Sequence, residues 1–404
     1  TGTFDAATFA GNSTWLELEL DTETQTPRQA FLSVPYALHT EDADLVDGLH
    51  ANEIIDAAAD EVRTPIDSLP FTISTSGSYY LTDNLTGGNG IDVSADNVTI
   101  DLMGFTLSGD GTTADFGIDM FGRSGSGRSN VTIKNGTIRN FGNAGIYQGS
   151  GTARYNRAID VRAIGNGTLG GGVANSGIFL LGTNNHIERC TAADNGGSGL
   201  FAGDSSNIIN NTAYNNTGTY GIRGGHGSSI TGNTAYNNTG TYGIRGGNGS
   251  SITGNTAHNN TGTHGIYGFW GSSITGNTVY SNAGWGIYAY ASNLVMNNTL
   301  YSNNTSQAED MGGGGLQVNT DSRVVGNTLD SNSENGIYVW GNDNVIKDNL
   351  VTDTYNAGTA GDGVGIYFNA TGNYYADNQA SGNVTDYGGS LPAGGGDGGG
   401  NASF

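Results

Sequence analysis

"TAYNNTGTYGIRGGHGSSIT" occupies residues 212–231, and "TAYNNTGTYGIRGGNGSSIT" follows at residues 234–253. The copies differ at one position, His226 against Asn248. Self-similarity at a fixed short period marks a repeat architecture in which each copy is one unit stacked on the next. Asn211, Asn233, Asn255 and Asn277 follow one another at 22 residues, Asn298 comes 21 later, and after an insertion Asn327 and Asn349 resume the 22-residue step. Three residues before each lies Ile208, Ile230, Ile252, Ile274, Val295, Val324 or Ile346, and two residues after lies Ala213, Ala235, Ala257, Val279, Leu300, Leu329 or Val351. A third apolar register runs Ile178, Leu200, Ile222, Ile244, Ile266, Ile287, Ile337 and Ile366.

Three inward positions per period are too few for a pair of helices, whose seam needs apolar residues at i, i+3, i+4 and i+7. They suit three short strands joined by polar turns, and "SSITGNTAY" alternates accordingly between polar and apolar residues. Coils stacked in register give parallel strands about 4.8 Å apart, so the fold class expected is an all-β, right-handed parallel β-helix with about 22 residues per coil. Residues 71–385 leave room for roughly fourteen coils, a rod on the order of 65 Å long. The recurrent asparagines read as a structural stack: each tolerates the left-handed backbone of a sharp corner and bonds to the asparagine of the next coil. Cys190, one period ahead of Asn211, reads as a small buried substitute at that position.

"PFTISTSGSYYLTDNL", "NGIDVSADNVTIDLMGFTLSG" and "NVTIKNGTIRNFGNAGIY" resemble the opening coils of secreted bacterial right-handed β-helix repeat proteins. The resemblance covers residues 70–385. It implies the fold and leaves activity open, because that group mixes polysaccharide lyases, epimerases, glycosidases and proteins without a known reaction.

The ends differ from the rod. Residues 1–70 read as two strands, "TWLELEL" and "AFLSVPYAL", and a helix, "ANEIIDAAADEVR", with Arg63 at its negative end. "PRQAFLSVPYALHTEDADLVD" and "DADLVDGLHANEI" are similar to segments of fibre-like secreted proteins and tail fibres. Thr1 reads as the start of a processed product. This region is expected to cap the first coil or to contact another subunit, since two strands and a helix bury no core alone. Residues 386–404 read as a flexible Gly-rich tail without an obvious cap, and an uncapped solenoid end invites the next molecule.

Among 404 residues there are 70 Gly, 5 Pro, 20 Tyr and 13 Phe, and the formal charge is −23. That charge argues against a nucleic-acid or anionic-lipid partner. No apolar run is long enough to span a bilayer. From Ser205 to Ala308 there is no Asp, Glu or Lys, so a two-carboxylate glycosidase site is excluded there. No catalytic residue and no metal ligand is assigned; no cofactor is expected, and Ca²⁺ is the one ion the acid pairs elsewhere would take. The outward aromatics are the remaining candidates. Tyr214, Tyr236, His258, Tyr280 and Tyr301 form a stripe at the coil period, Trp285 ends a second stripe behind Tyr220, Tyr242 and His264, and these rings are the hypothetical glycan platform. Arg223 and Arg245, replaced by Tyr267 and Tyr288 further on, would add cation–π or carboxylate contacts. The nearly identical coils and the acid-free centre together favour an extracellular or cell-surface structural or adhesive protein, a homo-oligomer joined through its rod ends into a filament. The alternative is a polysaccharide-active enzyme, lyase or glycosidase, or a passive glycan-binding module.

Overall fold

A coil of three strands needs three corners, and each corner must turn the chain while leaving no buried amide unpaired. In a computed structural model that describes residues 63–404 except 122–124, 170–174, 307–312, 356–362, 392–395 and 404, with six two-residue strands before them, every regular coil solves this in the same way. Asn207–Ile209, Thr212–Tyr214 and Tyr220–Gly224 make one coil, and each pairs in parallel with its counterpart in the next, Ser229–Thr231, Thr234–Tyr236 and Tyr242–Gly246. The first two strands of every coil belong to one 26-stranded sheet and the third to a 14-stranded sheet, giving a parallel β-helix. The three apolar registers point inward: Ile230, Ala235 and Ile244 stack on Ile252, Ala257 and Ile266, all wholly buried.

The corner asparagines do not themselves adopt the left-handed conformation, which corrects the expectation from sequence. The residue before each one does: Asn210, Gly232, Gly254, Gly276 and Asn297 have φ between 55° and 67°. This leaves the following asparagine free to turn inward. Asn255 Nδ2 donates to Ile230 O (2.8 Å) and Asn277 Oδ1 (3.0 Å), and its own Oδ1 accepts from the backbone N and Nδ2 of Asn233 (2.9 and 3.0 Å). The ladder runs from Asn211 through Asn233, Asn255, Asn277, Asn298, Asn327 and Asn349 to Asn378 and Asn401. Cys190 opens it, donating its backbone N–H to Asn211 Oδ1 at 2.8 Å. Burial pushes its thiol pKa up to about 12, so it is an inert packing group.

The other two corners follow the same rule with registers that the sequence reading missed. Asn195, Asn216, Asn238, Asn260, Asn282, Asn303 and Asn332 form a second amide ladder at 2.8 to 3.0 Å. Ser206, Ser228, Ser250, Ser272, Asn293 and Ser322 occupy the third corner, all buried.

Two units are distinguished, Thr1–Val62 and Arg63–Phe404. In the first, Trp15–Leu16 pairs antiparallel with Gln29–Ala30, Glu19–Leu20 with Glu23–Thr24, and Leu45–Val46 with Leu49–His50. The helix expected over residues 51–63 lies outside the described residues apart from Arg63. The rod begins at Thr64–Ile66, earlier than residue 71. At the far end the Gly-rich segment is not merely a tail. Thr385–Gly389 is the last strand of the second sheet and Ala402–Ser403 pairs with Gln379–Ser381. Tyr387 Oη donates to Asn378 O and Ala402 O at 2.9 and 3.1 Å, laying a ring over the last coil.

Asn255→Ala removes donors and acceptors that face three buried partners. We expect a loss of about 3 kcal/mol in urea unfolding, against little change for Thr261→Ala on an exposed turn of the same coil.

Candidate functional site

Outward residues of the second sheet immediately follow the third apolar register, so they stack in one column. In coil order the column reads Asp92, Asp119, Tyr147, Phe179, Phe201, Arg223, Arg245, Tyr267, Tyr288, Gln317, Tyr338 and Tyr367. At its start Asp92, Asp115 and Asp119 line a cleft of about 370 Å³ with Phe71 and Phe116. Aromatic rings follow, Tyr147 stacked on Phe116 and on Phe179, and Phe179 near Phe201 at 4.5 Å.

The centre of the column is cationic. Arg223 lies 4.1 Å over the Phe201 ring, and Arg245 sits among Tyr220, Tyr242, Tyr267 and Phe269 at 5.6 to 5.8 Å from their centroids. The two arginines are register partners on neighbouring strands, about 4.8 Å apart along the rod. Among the described residues neither forms an ion pair, and the buried Nε of each lacks a hydrogen-bond partner. Burial lowers the pKa of Arg223, with the neighbouring Arg245 charge adding to the effect. Two like charges held side by side attract an anion, and a planar guanidinium fork suits a carboxylate, Arg245 Nη1 already donating to Tyr220 Oη at 3.3 Å. The stretch from Ser205 to Ala308 holds no carboxylate, and Asp204 at its edge, which acts on Arg223, accepts the His226 backbone N–H at 2.7 Å. The protein's net charge of −23 acts from farther away, where salt screens it.

Beyond Arg245 the column becomes aromatic again. Tyr267 stacks on Tyr288 at 5.2 Å, with Tyr242 and His264 stacked beside them at 5.3 Å. Burial holds the His264 pKa down to about 4 and raises that of Tyr267, so both are neutral at physiological pH.

The rings singled out from sequence are divided between two faces. Tyr214, Tyr236, His258, Tyr280 and Tyr301 form one stack on the first sheet, with centroids 4.7 to 5.1 Å apart and planes within 9° of parallel. Each inner ring therefore spends both faces on its neighbours and turns only its edge to solvent. That geometry braces the coils and leaves the inner rings no face on which a sugar can lie. Trp285 is on the second sheet, and at 3% exposure, packed near Tyr338 and against Gly314, it is corrected from a platform residue to a core residue. Arg223, Arg245, Tyr267 and Tyr288, expected only as accessory contacts, make up the centre of the column, whereas Phe179, Phe201, Phe269, Trp270 and Tyr290 were missed. The signal for the first pair of these was available: the position after the third apolar register is Phe, Phe, Arg, Arg, Tyr and Tyr in six successive coils. Among the described residues no group of three or more His, Cys, Asp or Glu is arranged to hold a metal ion, and no helix is long and apolar enough to cross a membrane.

A family model for the right-handed β-helix region matches residues 176–320 and 271–399. The chain belongs to the right-handed β-helix family. Three solved structures are similar to this chain. One is a periplasmic alginate epimerase, AlgG, at 13% identity and a TM-score of 0.50, covering 100% of this chain and 99% of its own. The second, the Azotobacter vinelandii mannuronan C-5 epimerase AlgE6 A-module, is 13% identical with a TM-score of 0.45 over 87% and 93% of the two chains. The third, the alginate lyase AlyF-OU02 solved with G6, is 15% identical with a TM-score of 0.42 over 88% and 86%. No curated protein sequence matches. These likenesses concern the fold. The expectation of an end-to-end structural or adhesive filament is corrected: the rod shares its fold with the periplasmic alginate epimerase AlgG. Past Asn383 the rod adds two further strands, Thr385–Gly389 and Ala402–Ser403.

Burial of His264 has a measurable consequence. The unfolded chain protonates this imidazole as pH falls below about 6.5, whereas the folded chain resists until about 4, so stability drains away across that window as pH falls. His264→Tyr, which copies Tyr242 of the preceding coil, should lose less stability between pH 7 and pH 4, by up to about 3 kcal/mol in urea unfolding.

Proposed function

We propose that this rod binds and acts on an acidic polysaccharide lying along the outer face of its second sheet. The observation that carries the reading is the Arg223–Arg245 pair: two guanidiniums held side by side in register and flanked by aromatic rings, with no carboxylate in their own coils. The coil spacing is close to the length of one pyranose unit, so successive uronate carboxylates meet successive arginines. The acidic cleft at Asp92, Asp115 and Asp119 repels the same polymer and biases it toward the arginine and aromatic coils. The periplasmic epimerase named above acts on alginate, a polyuronate, which agrees with this substrate class. A polymer of this kind places the protein outside the cytoplasm, in an extracellular or periplasmic setting.

One observation favours catalysis over passive binding. Neutral His264, phenolic Tyr267 and Arg245 lie in adjacent coils, His264 and Tyr267 with centroids 5.4 Å apart. They place a neutral imidazole, a phenol and a cation for a uronate carboxylate side by side, the group types that proton abstraction beside that carboxylate uses, while burial holds both titratable groups in their neutral forms. Hydrolysis by a carboxylate pair has no support in these coils. On this reading the protein releases unsaturated products, detected by ultraviolet absorbance, or exchanges the hydrogen next to the carboxylate with solvent deuterium.

Electrophoresis through gels containing polygalacturonate, alginate or dextran tests the binding. We expect retardation by one or both acidic polymers and none by dextran, with Arg223→Gln/Arg245→Gln lowering the affinity at least tenfold. Equal retardation by dextran, or an unchanged double variant, would sink the reading.

A further inference from the structure

The repeat shows what the scaffold tolerates. Residues 234–253 and 256–275 build equivalent coils with the same corner asparagines and the same inward isoleucines, yet they differ at five positions. Tyr236 becomes His258, Tyr242 becomes His264, Arg245 becomes Tyr267, Gly247 becomes Phe269 and Asn248 becomes Trp270. The last four changes all fall on the second-sheet side of one coil, around the position next to Arg245. Folding does not demand them, because the preceding coil folds identically without them.

Their outcome is an exposed aromatic group. Trp270 is 47% exposed in a turn where His226 and Asn248 precede it. The ring next to it, Phe269, stacks on Tyr290 at 5.2 Å, and both cross Trp270 steeply, at 77° and 60°. No parallel ring among the described residues covers Trp270, in contrast to the closed tyrosine stack on the first sheet. Ala291 and Asn248 are its counterparts in the adjoining coils, so no bulky side chain precedes or follows it in the turn column. Arg245 lies 5.8 Å from the Phe269 ring, which joins this group to the cationic centre.

We infer that Phe269, Trp270 and Tyr290 form a subsite for one pyranose ring, which seats its apolar C–H face on Trp270 while the neighbouring unit presents its carboxylate to Arg245. The inference rests on the acidic-polysaccharide reading and adds to it a fixed position. The arginine pair alone attracts any carboxylate at either coil, whereas an exposed ring platform in the coil next to Arg245 sets the register of the chain on the rod; the other exposed tryptophan of this sheet, Trp340, follows three coils on. Apolar stacking with a few placed polar groups is the usual division of labour in a ligand site. The exposed Trp270 together with Phe269 and Tyr290 gathers several rings at one place on the surface, which suits such an occupant.

Trp270→Asn is the decisive variant, because Asn248 already holds that place in an equivalent coil and the fold is preserved. With oligogalacturonate and oligoalginate as probes, isothermal titration should show Trp270→Asn binding at least tenfold more weakly than the native chain. The shift in tryptophan emission on adding the probe should vanish in Trp270→Phe, which keeps a ring and most of the affinity. Native-like affinity in Trp270→Asn together with loss in the arginine double variant overturns the subsite and leaves the polysaccharide reading standing. Failure of the native chain to bind either probe overturns both.

Discussion

A side-chain amide that bonds up and down the rod fixes where every other residue lies. Each corner asparagine satisfies backbone groups of the preceding coil and the amide of the next, so a coil cannot slip by one residue without breaking buried hydrogen bonds at three corners. The left-handed residue before each corner is the local condition for this. It turns the chain sharply enough for the next side chain to point inward, and Gly232 and Gly254 accept that conformation at little cost. Register therefore follows from side-chain chemistry as well as from the parallel ladder.

Fixed register turns the sequence period into a surface. Residues that recur every coil become columns, and two columns with different chemistry result. The tyrosine and histidine column on the first sheet closes on itself by parallel stacking. The column on the second sheet cannot, because at its centre the repeat places arginine on arginine. Cation–π contacts offset part of that repulsion, with Arg223 seated over the Phe201 ring. The same rigidity that makes the rod a scaffold holds the two guanidiniums in line along its axis.

The period and the inward registers made the fold legible, including the three strands per coil and the Asn211 ladder, since an apolar or amide residue every 22 positions suits stacked coils and matches neither a helical nor a simple strand period. The second amide ladder was hidden because Asn215–Asn216 and Asn237–Asn238 read as turn residues, and only the coil geometry shows that the latter of each pair is buried. The site was less legible. Whether an aromatic stripe offers ring faces or ring edges depends on side-chain orientation, which no spacing encodes. Trp285 looked like its stripe-mates, yet it is buried beside Tyr338 from a coil two further on. The filament expectation failed for a related reason: near-identity of adjacent coils concealed that their few differences gather on one face.

The central claim is that coil register holds two guanidiniums together for an external carboxylate. A crystal structure of the native chain grown with an oligouronate tests it most directly. The account predicts sugar carboxylates within hydrogen-bond distance of both Arg223 and Arg245, with the oligosaccharide running parallel to the rod axis. A protein carboxylate seated on the two arginines, or sugar bound on another face with these guanidiniums unoccupied, would contradict it.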